Sequence, residues 1–285
     1  MRFVAACSRS AAAAVFGREI TGRVLGAGHG ALYVQVAAFS GLASQVIAVL
    51  STDAVRLPCA LVIPERAARL SLSSIAPRGE VTVGLGALRW ACSAGDVTVS
   101  ATRVWLPPHI PRLHPRTERC SQLMAALPWS KLPPEVAPAI GLARGSAGSV
   151  EQLLGRGPGL TPSGDDVLAG FVVAARAFGL DIGDIRAKIV GHAEGATTAL
   201  SAQLLKSALA GEGVPEIVGL LRWLGGSSGR VSPVDALTAV GHTSGAAMAY
   251  GVALAVLAAR SSSRSPDEST QPGPGKPANL ERDEY

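Results

Sequence analysis

The chain has 285 residues, of which 48% are hydrophobic and only 4% aromatic, with a formal net charge of +5. The hydrophobic share excludes global disorder, and the length suffices for one large domain or two smaller ones, each with its own core. The charge comes partly from scattered arginines, with no basic run interleaved with aromatics and no nucleic-acid motif, so it points to small anions rather than to nucleic acid.

With so few aromatics, the core must be built from Ala, Leu and Val, held by many close contacts. Cys7, Cys59, Cys92 and Cys120 form no CxxC pair. They read as buried small hydrophobes in a reducing cytoplasm rather than as a disulfide or metal framework. Val4-Ala5-Ala6-Cys7 resembles a lipoprotein box, but it comes too early to follow the apolar region of a signal peptide. The longest apolar helix candidate, Ala246 to Ala259, is short for a bilayer and carries Gly251, so no membrane span is expected.

In chain order, Ser10 to Phe16 is predicted as a short Ala-rich helix. Thr21–Leu25 and Ala31–Val36 flank Gly26-Ala27-Gly28-His29-Gly30 as a hairpin or paired strands. Short strands are predicted at Val46–Leu50, Ala60–Ile63, Val81–Val83, Ala87–Trp90 and Val97–Trp105. Val97, Val99 and Ala101 alternate with Thr98, Ser100 and Thr102 at the strand period. Such spacing predicts a small barrel or sandwich over residues 1–108. Residues 109–116, within a proline-rich stretch beginning at Pro107, break regular structure and read as a linker.

Residues 117–260 read as helical, with segments at Thr117–Ala126, Val150–Leu154, Asp166–Phe178, Ile182–Leu209 (broken at Gly191 and Gly195), Val214–Leu224 and Val234–Leu257. Residues 261–285 are rich in Ser, Pro, Gly and charge, and read as a disordered tail. The fold class is therefore α+β, a β-rich N-terminal domain followed by an α-helical one.

The most informative stretch runs from Gly155 to Asp166, GRGPGLTPSGDD. Gly155, Gly157 and Gly159 permit close approach, Pro158 and Pro162 stiffen the loop, and an apolar-faced helix follows. Thr161, Ser163 and Asp165 thus sit where a loop enters a helix, among unpaired N–H groups that suit an anion. The ordinary reading is an N-cap at Ser163 or Asp165, with Asp165 and Asp166 complementing the helix dipole. That leaves the second carboxylate unexplained. Paired carboxylates repel a bare phosphate, so an anion here needs Mg²⁺ or a nearby cation such as Arg156; alternatively, the pair holds the amino or amide end of a substrate. No Walker A loop or dinucleotide fingerprint occurs in this stretch.

Two further motifs share the same grammar. Thr197 and Ser201 lie four apart on a predicted helix, where hydroxyls commonly bond back to the preceding turn. Gly241-His242-Thr243-Ser244-Gly245 precedes another apolar helix, with Thr243 or Ser244 as a cap and His242 as a donor or an acid/base. With no GxSxG elbow and no partner for Ser163, a serine-hydrolase triad is not expected.

Taken together, the stretches Gly155–Gly170, Thr197–Leu205 and Gly241–Gly245 resemble the AllH subunit family of oxamate carbamoyltransferase, above all in GLTPSGDD at Gly159–Asp166 and LAG at Leu168–Gly170. The resemblance covers roughly residues 150 to 255. It implies carbamoyl transfer between carbamoyl phosphate and oxamate, in allantoin-type nitrogen catabolism. It also implies other subunits as partners, one of them resembling succinyl-CoA ligases. In that reading Asp165, Asp166 and His242 are the candidate catalytic groups. Arg156, Gly157, Gly159, Thr161, Ser163, Gly164, Thr197, Ser201, Thr243 and Ser244 are the candidate binding groups. The competing readings are a Mg²⁺-dependent phosphotransferase or phosphohydrolase with Asp165 and Asp166 as ligands, and a non-catalytic scaffold whose glycines pack against partner subunits.

Overall fold

A computed structural model describes residues 1–38, 43–64, 72, 75, 78–93, 95–127, 129, 132–228 and 232–262. Alternating small apolar residues build strands β1 (Arg2–Ser8), β2 (Ile20–Ala27), β3 (Ala31–Val36), β4 (Gln45–Ser51), β5 (Ala60–Ile63), β6 (Glu80–Gly84), β7 (Ala87–Cys92) and β8 (Gly95–Trp105). They close into a barrel in the order β1-β5-β4-β3-β2-β6-β7-β8. Closure leaves no strand edge unpaired, which a lone N-terminal sheet would otherwise expose.

Helix α1 (Arg9–Val15), capped by the Ser8 hydroxyl, contributes Ala11, Ala14 and Val15 to the barrel core beside Leu32, Ile47 and Val99. The sequence pattern does not predict strand β1. It alternates Phe3, Ala5 and Cys7 inward against exposed Arg2 and Val4, and pairs parallel with β8 and antiparallel with β5. The long-range partner decides it. Cys7, Cys59 and Cys120 are buried and every cysteine is free, with burial pushing the thiols of Cys7 and Cys59 up to about 12.

Strand β4 is buried on nearly its whole length because both its faces are covered. Ile47 and Val49 fill the barrel, while Ala48 and Leu50 join an outer cluster with Leu57 and Leu204. This double burial explains an apolar run without alternation. The helical half docks on this outer face, where the Val46 N–H also donates to Gln203 Oε1 at 3.3 Å.

The helical half comprises α2 (Thr117–Ala126), a 3₁₀ helix (Pro134–Arg144), α3 (Gly148–Leu153), α4 (Ser163–Phe178), α5 (Gly183–Ala196), α6 (Ala199–Leu209), α7 (Pro215–Leu224), α8 (Pro233–Thr238) and α9 (Ser244–Ser262). The architecture is thus α+β, a β-barrel followed by a helical region. Helices α4 and α9 form its axis at backbone contact. A Cβ on Gly170 would collide with the Met248 carbonyl, and one on Gly251 with the Val167 carbonyl. The glycines therefore act inside the chain, joining two helices that carry two of the motifs.

By length and composition α9 could cross a membrane, but 67% of its apolar window is buried against the other helices. The proline-rich segment lies along the helices: Leu113 N–H donates to Ala177 O at 2.8 Å, and Arg116 N–H to Leu224 O at 2.8 Å. The tail read at 261–285 lies outside the described residues except for Ser261 and Ser262, which end α9.

Several helix limits differ from the sequence expectation. The break in the segment from Ile182 to Leu209 falls at Thr197–Thr198, not at Gly191 or Gly195. Thr197 is extended at φ −135°, and Thr198 caps α6 by accepting from Ser201 N–H at 3.1 Å. Gly191 sits mid-helix and Gly195 in the last turn, both with open space where a Cβ would be. The segment from Val234 to Leu257 divides into α8 and α9, with Gly241 at φ +59° between them. Helix α4 begins at Ser163 with Pro162 as its N-cap residue and no side-chain cap, so neither Ser163 nor Asp165 is the N-cap. The 3₁₀ helix is absent from the sequence expectation, because its prolines disguise a helical turn sequence.

Candidate functional site

Three hydrogen bonds pull the motifs together. The Gly155 N–H donates to Asp165 Oδ1 at 2.9 Å, and the Thr197 hydroxyl donates to Asp165 Oδ2. Thr198 Oγ1 donates to the Leu160 carbonyl at 2.6 Å. Asp165 therefore fastens the glycine loop and the α5–α6 corner to the first turn of α4. Gly155, at φ +70°, has no room for a Cβ against the Ala196 carbonyl. The loop can approach the corner only because a glycine stands there.

On the other side, Thr161 Oγ1 and Ser244 Oγ lie 3.2 Å apart, and Ser163 Oγ reaches Thr243 Oγ1 at 3.5 Å. Residues 83 and 80 positions apart in sequence are thereby joined.

These contacts roof a cavity of about 190 Å³ between the barrel and the helices. It is smaller than drug-sized pockets of about 300–1,000 Å³ and suits a ligand of few heavy atoms. Its polar end carries Thr161, Asp165, Asp166, Ser201 and Ser244. Its walls are mostly apolar, with Ala169 and Val173 from α4, Leu204 from α6, and Tyr33 and Leu57 from the barrel side. Glu212 also lines it; its neighbour Gly213 packs toward Val173, about 10 Å along α4 from Asp166. Among the described residues no lysine, arginine or histidine lines the cavity.

The two adjacent aspartates are not equivalent. Asp165 is 2% exposed with both oxygens bonded; burial raises its pKa, and Thr197, Gly155 and Ser201 oppose that rise. Asp166 is 6% exposed, and its Oδ2 has no hydrogen-bond partner. Burial pushes Asp166 up to about 7, the Ser244 hydroxyl pulls it back, and the Asp165 charge adds to the rise. A carboxyl poised near neutrality in a mostly apolar cavity can hold or release a proton at working pH. An orphaned buried oxygen also marks a place for a ligand donor.

Five of the sequence-selected residues thus meet at the cavity: Thr161, Asp165, Asp166, Ser201 and Ser244. Thr197 stands behind Asp165 rather than in the cavity wall. Ser163 and Thr243 pair one layer back, and Gly164 is buried in the first turn of α4 under the Leu153 carbonyl. Gly157 and Gly159, at φ +116° and +90°, shape the loop outside the cavity. Arg156 and His242 do not line it, and His242 is exposed. Sequence reasoning misses Glu212, Tyr33 and Thr198. The Thr-Thr pair before an apolar helix is a legible cap signal for Thr198, whereas nothing local marks Glu212 or Tyr33.

Barrel and helical region thus frame a cavity whose polar end gathers carboxyl and hydroxyl groups from all three motifs. The family model described as oxamate carbamoyltransferase subunit AllH matches residues 153–256, spanning all three motifs. No solved structure matches the chain significantly.

Proposed function

We propose that this chain is a subunit of an oxamate carbamoyltransferase, and that it holds the amide end of the substrate in the cavity and exchanges its proton through Asp166. The observation that carries the reading is Asp166 itself, a buried aspartate that lines the cavity beside three hydroxyls and has one oxygen without a hydrogen-bond partner. In the carbamoylation direction, the oxamate amide nitrogen bonds to the carbamoyl carbon while that carbon's bond to the phosphate oxygen breaks. Phosphate leaves with the electron pair, and Asp166 takes the proton the nitrogen sheds. In reverse, phosphate attacks the ureido carbonyl of oxalurate, and protonated Asp166 donates to the departing amide nitrogen. Thr161, Ser201 and Ser244 supply hydroxyl donors for the oxyanion between these states. Asp165 positions the loop, each of its oxygens accepting one hydrogen bond. Among the described residues there is no cluster of three or more metal-binding side chains.

Among the described residues no cation lines the cavity to receive the phosphate or carboxylate ends. In this reading those ends project toward a surface completed by another subunit, including one like succinyl-CoA ligases, in a cytoplasmic complex of nitrogen catabolism. Free cysteines throughout agree with a reducing compartment.

The test is Asp166→Asn in the complex reconstituted with its partner subunits. Turnover is expected to fall about 10²–10⁴-fold with little change in KM. The wild-type oxalurate-cleaving rate is expected to decline as pH rises through about 7, and the variant to lack that limb. Full activity in a folded Asp166→Asn complex would refute the reading.

A further inference from the structure

A second concavity, of about 370 Å³, lies on the helical region where the proline-rich segment crosses the α4–α5 junction. Arg112, Arg176 and Arg186 line it together with His109, against one carboxylate, Asp181. It shares no lining residue with the acid cavity. Among the described residues none of the three guanidinium groups has a hydrogen-bond or ion-pair partner.

Their natural internal acceptors are already occupied. At the end of α4 the carbonyls of Ala175, Arg176 and Ala177 accept from the N–H groups of Leu180, Gly179 and Leu113. Asp181 Oδ1 accepts from the Gly183 N–H at 3.0 Å. The start of α5 opens onto the same concavity, with its first N–H taken by Asp181. Like charges gathered on one polar hollow repel one another, and the single carboxylate of Asp181 offsets only part of that cost. A planar guanidinium fork matches an oxyanion with paired oxygens, and several forks around one hollow match a tetrahedral one.

We propose that this concavity is a binding site for a small phosphate-class oxyanion, inorganic phosphate or a phosphate monoester, separate from the acid cavity. The site rests on charge and shape alone, not on the carbamoyl-transfer reading. It is placed to be felt at the cavity: α4 carries Asp166 in its first turn and Arg176 in its last, and His109 forms a backbone bridge to Glu212, which lines the cavity.

The experiment is a thermal-unfolding titration of the full chain with inorganic phosphate at constant ionic strength, balanced with chloride, in parallel with glycerol phosphate. Wild type is expected to show a saturable rise in Tm with both. Arg176→Gln and Arg186→Gln are exposed changes that leave the core intact, and each should weaken the phosphate response about ten- to a hundredfold. Arg23→Gln, an exposed charge loss on the barrel, should leave it unchanged, as should Asp166→Asn, which separates this proposal from the previous one. Absence of a saturable response would overturn the proposal, as would an equal loss in Arg23→Gln. So would arginine variants that bind phosphate normally yet lose assembly with partner subunits, which would make the hollow a docking place for an acidic segment.

Discussion

Replacing Asp166 by Asn should make the protein more stable at alkaline pH and leave it nearly unchanged at acid pH. The carboxyl is 6% exposed, and burial lifts it from 3.8 to about 7. Its folded pKa is raised, so the contribution is fully present below the unfolded value near 4 and is lost as pH rises through 7. Each tenfold gain in proton affinity on folding corresponds to about 1.4 kcal/mol, which gives a ceiling of about 4 kcal/mol for the whole loss. Between pH 5 and pH 8 the loss amounts to roughly 2–3 kcal/mol, because part has occurred by pH 5.

The assay is urea unfolding of wild type and Asp166→Asn across pH 4–8.5, reported as the difference between them, so that other titrating groups cancel. The variant's advantage should grow with pH and level off above about 7.5, with the dependence on denaturant unchanged. A difference that stays flat from pH 5 to 8 would refute the account of Asp166 as a carboxyl forced to ionise where it is buried. It would also remove the physical basis for its proton exchange.

Thr197→Val removes the hydroxyl that bonds Asp165 Oδ2 and should cost about 1–3 kcal/mol by leaving a buried carboxylate oxygen without its donor, read as a lowered urea midpoint. Gly251→Ala should destabilise by about 1–3 kcal/mol or more despite the better helix propensity of Ala, because the new methyl meets the Val167 carbonyl and the Phe171 N–H; calorimetry will show a lower Tm. The opposite sign is expected at Gly191 inside α5, which is exposed with open space around it: Gly191→Ala should gain roughly 0.5–1 kcal/mol, and a loss there would contradict the helix geometry.

Much of this molecule was legible locally. Alternation at Val97–Ala101 and the apolar face after Asp166 fixed element types, because period-two and 3.6-residue patterns follow from backbone geometry alone. The motifs were visible as glycines and hydroxyls standing before helices, a grammar that persists whatever the motifs finally touch. The tertiary structure decided what the local pattern leaves open. Strand β1 exists because β5 and β8 flank it, and the break between α5 and α6 falls at Thr197 because Asp165 takes its hydroxyl while Thr198 caps the next helix. Adjacent Asp165 and Asp166 read alike in sequence, yet successive helical positions point about 100° apart. One carboxylate meets the loop and the corner; the other meets an apolar hollow. Arg156 and His242, chosen for charge near the motifs, stand outside the cavity, while Glu212 enters from a distant turn. Burial and partner set a side chain's chemistry, and both are properties of the packed chain rather than of the neighbouring letters.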